Sequence, residues 1–101
     1  DIQQITLPIR QDWAKQVYHL FVIRTEKRDD LAKFLADKAI QTGVHYPISL
    51  PKLKAYDYTN QASEDLFANK TDTMLLSLPI GEHLNEQDLA QVVTEIKEYF
   101  V

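Results

Sequence analysis

Cysteine is absent from the 101 residues, which excludes disulfides and thiol chemistry and makes a reducing, cytoplasmic setting the expectation. Glycine occurs only twice, at Gly43 and Gly81, so neither a G-x-G-x-x-G dinucleotide fingerprint nor a phosphate-cradling P-loop can be written. No apolar run approaches the ~20 residues that a membrane-spanning helix needs, and no signal-peptide pattern opens the chain, so no membrane partner is expected. Positive charge is also short. Eleven Lys and Arg face 15 Asp and Glu, for a net charge of −4 and a pI near 5.2. Without a basic cluster, a nucleic-acid surface is not expected either.

What is present is ordinary for a soluble globular chain, with 45% hydrophobic and 26% charged residues. The length suits a single domain over residues 1–101 with a modest core, residues 1–16 forming an entry segment. The first residue is Asp1 rather than Met, which raises the expectation of a piece cut from something longer.

Along the chain, Pro8 reduces the alternation of Ile2, Ile5, Leu7 and Ile9 to an edge strand or extended lead-in. Trp13 is expected to pack at the margin of the core. Val17 to Arg24 is a nearly unbroken β-branched and aromatic run, expected as a strand buried on both faces or nearly so. From Arg28 to Ala39, Leu31, Phe34, Leu35 and Ala39 line one side of a helix. Asp29 and Asp30 lie in its first turn, and Asp29 is spaced to pair with Lys33. Ile40 to Pro47 reads as a second short strand ended by proline.

Pro47 to Ser63 is a loop too rich in Ile48, Leu50, Leu53, Tyr56 and Tyr58 to be idle. It is expected to pack on its own core or on a partner surface, with one helical turn around Lys52–Tyr56. A short helix over 64–73 with Ser63 as its N-cap follows. Met74–Leu78 is a third strand stopped by Pro79, and Gly81 supplies a turn. Asn85 caps the clearest helix, with Glu86 and Asp88 in its first turn and a stripe of Leu89, Val92, Val93, Ile96 and Phe100. This order implies an α+β two-layer sandwich, a small, mostly antiparallel sheet with helices on one face.

Chemistry-bearing residues are sparse. The three histidines, His19, His45 and His83, lack metal-ligand spacing. His19 is expected as a structural, hydrogen-bonded imidazole in the first strand, and His83 as a loop residue. No serine lies in G-x-S-x-G, and the carboxylates cluster at predicted helix starts, where capping accounts for them. No catalytic or metal-ligating residue is therefore named. One segment stands out, Thr42-Gly43-Val44-His45-Tyr46-Pro47, which sets an imidazole and a phenol at a strand end beside a rigid loop. Composition alone favours a structural closure of the strand there, and it specifies no reaction.

Four segments together carry a resemblance: Val17–Arg24, Arg28-Asp29-Asp30-Leu31, Thr42–Pro47 and Leu76-Ser77-Leu78-Pro79-Ile80. In that order they resemble the carboxyl-terminal part of the DegT/DnrJ/StrS family of pyridoxal-phosphate (PLP)-dependent sugar aminotransferases, from about Ile5 to Phe100. The resemblance implies the small domain of the aspartate aminotransferase type (type I) fold. It implies that PLP and the Schiff-base lysine belong to a large amino-terminal domain absent here, so this piece has no cofactor of its own and no activity alone. It further implies a homodimeric parent acting on a nucleotide sugar, with His45 and Tyr46 lining the substrate side of the cleft and Pro47 fixing the loop. The chain departs from the family at Ala39 and Gln41, where glycine is common. A surface left by the large domain is expected as an exposed apolar patch including Trp13, Ile48, Leu50 and Tyr56. The alternative is a non-enzymatic metabolite-binding or regulatory α+β module.

Overall fold

The computed structural model describes residues 2–101. Strand β1 (Phe21–Arg24) pairs antiparallel with β2 (Leu75–Leu78), Phe21 facing Leu78 and Ile23 facing Leu76. Each outer edge gains one further antiparallel pair, Thr6 on Arg24 and Gly43 on Ser77. The sheet is therefore two strands wide with a single-residue bridge along each side. Directly opposed residues share a face. Phe21, Ile23, Leu76 and Leu78 point to one side, where helices α1 (Arg28–Asp37) and α3 (Glu86–Phe100) add Leu31, Leu35 and Ile96 to the core. Val22, Ser77 and Gly43 share the other side. The expected α+β architecture, antiparallel strands under helices, is the one observed.

Local chemistry explains the helix ends. Asn85 Oδ1 accepts from the Gln87 and Asp88 amides while Asp88 accepts from the Asn85 amide, a complete capping box for α3. Helix α1 closes in a Schellman motif: the Ile40 amide donates to Leu35 O and the Ala39 amide to Ala36 O. That motif requires a left-handed residue after the cap, and Ala39 takes φ 59° to supply it. Ile40 then folds back beside Leu35 in the core.

Several expectations are corrected. The first strand begins at Phe21 rather than Val17. Tyr18 turns left-handed at φ 51°, and Val17 and His19 stay exposed, so His19 is not an imidazole within the strand. Trp13 is 84% exposed and does not pack on the core. The second strand shrinks to the Gly43 bridge. Toward Gln41 the next pairing on that edge of β2 would need an amide from Pro79, which has none. Asp29 pairs with Arg28 at 2.8 Å, not with Lys33. Gly81 does not adopt positive φ. In α3, Leu89 and Val93 remain about half exposed, so the buried stripe is carried by Val92, Ile96, Tyr99 and Phe100.

The segment between Pro47 and β2 forms two 3-10 turns, Leu50–Lys52 and Lys54–Thr59, then helix α2 (Phe67–Thr71). Ser63 does not cap α2, which begins after Leu66. The Asn69 side-chain amide instead donates to Gln61 O and Glu64 O, which holds residues 61–64 as a curl. Among the described residues no helix is long and apolar enough to cross a membrane.

Candidate functional site

The Thr42–Pro47 segment leaves the sheet at Gly43, bonded in both directions to Ser77. Gly43 and Ser77 are directly opposed and share a face. Because Gly43 has no side chain, the His45 imidazole lies over it. A Cβ added at Gly43 would fall 2.6 Å from His45 Cε1. There the ring meets Ser77, with Nδ1 and Oγ 2.9 Å apart. The His45–Tyr46 peptide bond is cis. The Tyr46 ring stands edge-on to the imidazole, centroids 5.6 Å apart, and is 72% exposed. The structure thus brings His45 and Tyr46 together and adds Ser77, which sequence reasoning missed. Its signal was a lone polar residue between Leu76 and Leu78 in an otherwise apolar run.

Beyond Tyr46 an open hollow of about 730 Å³ lies between the loop (Pro47, Ile48, Leu50, Leu53) and α2 (Phe67, Ala68, Thr71). Its walls are almost wholly apolar. Ile48, Leu50 and Phe67 are exposed there, so the loop's apolar residues are only in part packed against their own domain.

A polar clamp holds the loop in place. Asp72 is buried and accepts from the Ser49 amide at 3.0 Å and from Lys52 Nζ at 2.9 Å. Lys52 also donates to Asn69 O, and the Ser49 hydroxyl lies 2.6 Å from Asn69 Oδ1. The Ser49 amide first, and Lys52 second, hold the Asp72 carboxyl below its ordinary range. The buried Arg28 guanidinium donates to the Asp72 carbonyl, tying this corner to α1. Nothing in the local sequence around Asp72 marked it, because its partners lie about 20 positions away.

The remaining histidines lie elsewhere. His83 is exposed beside a smaller hollow of about 510 Å³ that borders Lys38, Pro79 and α3. Among the described residues no cluster of three His, Asp or Glu side chains is arranged to hold a metal ion.

Comparison with known proteins gives one family. The model of the DegT/DnrJ/EryC1/StrS aminotransferase family matches residues 1–97. The erythromycin biosynthesis sensory transduction protein EryC1 of Saccharopolyspora erythraea is 38% identical over 98 residues, which is 96% of this chain and 27% of that protein. The dTDP-3-amino-3,6-dideoxy-alpha-D-galactopyranose transaminase of Aneurinibacillus thermoaerophilus is 35% identical, covering 94% of this chain and 26% of its own length. The crystal structure of S. venezuelae DesV in complex with ketimine intermediate superposes with a TM-score of 0.88 at 32% identity, over 97% of this chain and 27% of that one. The chain thus spans about a quarter of the length of the relatives it matches.

Proposed function

This chain belongs to the DegT/DnrJ/EryC1/StrS aminotransferase family, and we propose that it works as the carboxyl-terminal small domain of a PLP-dependent nucleotide-sugar aminotransferase. The parent would be a cytoplasmic homodimer that moves an amino group from glutamate to a nucleotide-linked keto sugar. One observation carries this reading: each relative matches nearly all of this chain with only about a quarter of itself. A relative named as a transaminase of a dTDP-linked amino sugar supports the substrate class.

The residues present do not fit PLP. The cofactor needs a lysine amine for its aldehyde and a cradle of donors for its phosphate. The hollow beside Tyr46 is lined without a lysine. Asp72 is the hollow's carboxylate, and the ammonium that meets it, Lys52, is held by Asp72 itself and by Asn69 O. No cofactor step is assigned to these residues, and the chain alone is inactive in this reading. Its own contribution is to bind: His45 and Tyr46 face the substrate, and Pro47 with the Asp72 clamp holds their loop.

The test is a titration with PLP, then borohydride reduction and mass spectrometry. The 101-residue chain is expected to give no stoichiometric, PLP-saturable adduct, only the low non-specific labelling that free PLP gives any exposed amine. The longer parent is expected to give one on a lysine outside these residues, and to aminate a nucleotide-linked keto sugar in the presence of glutamate. A stoichiometric adduct on a single lysine of this chain that saturates with PLP overturns the reading. The relative named as a sensory transduction protein motivates the second reading, a metabolite-binding or regulatory module. Tight binding of an unrelated metabolite by a parent without transaminase turnover would favour it.

A further inference from the structure

We propose that Ser77 is a positioning residue, whose buried hydroxyl fixes the neutral His45 imidazole with its proton on Nε2. That N–H is then the group His45 offers to substrate; this last step rests on the substrate-side role given to His45 above. Ser77 is only 4% exposed and lies directly opposite Gly43. The glycine leaves room for the imidazole, and the ring's Nδ1 sits 2.9 Å from Ser77 Oγ.

A hydroxyl has one proton to donate, and buried donors need acceptors. Among the described residues, the side-chain hydrogen bond of Ser77 is the one to His45 Nδ1. Were Nδ1 to hold the imidazole proton, the serine proton would be buried without an acceptor. The hydroxyl therefore donates into Nδ1, which leaves the proton on Nε2. The backbone pair between Gly43 and Ser77 holds both ends of this contact in register.

The test begins with long-range nitrogen–proton NMR of the His45 ring in the 101-residue chain, at a pH where the imidazole is neutral. The wild-type ring is expected as a single Nε2–H tautomer. Ser77→Ala is expected to relax it to a mixture, and Ser77→Thr, which keeps the hydroxyl, to retain it. A wild-type Nδ1–H ring, or a Ser77→Ala ring unchanged from wild type, overturns the proposal. Circular dichroism confirms that each variant is folded. If Ser77→Ala is not, Gly43→Ala replaces it, since the new Cβ must push the ring off the hydroxyl and lose the tautomer.

In the parent polypeptide, Ser77→Ala is expected to raise KM for the nucleotide sugar about fivefold, as for one lost neutral hydrogen bond, with kcat little changed. A tautomer shift with unchanged KM overturns the positioning role. A wild-type parent without turnover overturns the functional reading instead, while the NMR result still decides the Ser77–His45 contact.

Discussion

The two ends of this domain are held by different means. Around the sheet, Ile23, Leu31, Leu35 and Leu76 are fully buried, and shape and apolar area do most of the work. In the loop from Tyr46 to Leu66 no apolar side chain is fully buried. That region is fixed by polar bonds converging on Asp72 and Asn69. One half is a core and the other a scaffold for an exposed surface. The difference suits a domain whose loop meets something outside itself, as the proposed substrate cleft requires.

Substitutions can break or sharpen this contrast. The largest effect is expected in the core. Leu76→Ala removes a side chain with no exposed area and should cost about 2–5 kcal/mol in denaturant melts. A loss near zero would mean that the sheet is not the centre of the fold.

Asp72→Ala should cost less, about 2 kcal/mol, because its partner Lys52 is partly solvated. It should also speed proteolysis in the 47–61 loop while α3 stays protected. The same clamp gives an acid dependence. Asp72 titrates below its ordinary value in the folded chain. Its contribution is therefore complete above the unfolded carboxylate pKa of about 3.9 and is lost as pH falls through the lower folded value. Asp72→Asn should flatten that part of the stability-against-pH curve.

A gain is expected at Ala39, whose left-handed φ of 59° costs an alanine about 1 kcal/mol that glycine avoids. Ala39→Gly should raise the melting temperature. The smallest effects belong to the exposed loop. Ile48→Ser or Leu50→Ser should change stability by no more than about 0.5 kcal/mol. A large loss at either position would erase the contrast between the two ends.

What could be read in advance followed from local rules. Asn85 with Asp88 three residues on and the apolar stripe behind them place α3 within a residue, because a cap and a helix face are settled within a few positions. Pro79 ends β2 for the same reason, and the spacing of Leu31 and Leu35 fixes α1. The segment carrying His45 and Tyr46 was visible as a glycine, an imidazole and a phenol before a proline.

The tertiary structure decided the rest. The Val17–Arg24 run reads as one strand, yet only four of its residues pair, because the partner strand is equally short and Tyr18 turns away. The apolarity of Trp13 points to the margin of the core, yet the folded chain leaves it 84% exposed. Ser77 reaches His45 across 32 positions, and Asp72 gathers Ser49 and Lys52 from about 20 away. By itself the sequence determined which segments coil, extend and stop, since those choices are made between near neighbours. Which polar groups meet was decided only when the sheet closed, since a contact between distant residues depends on the path of everything between them.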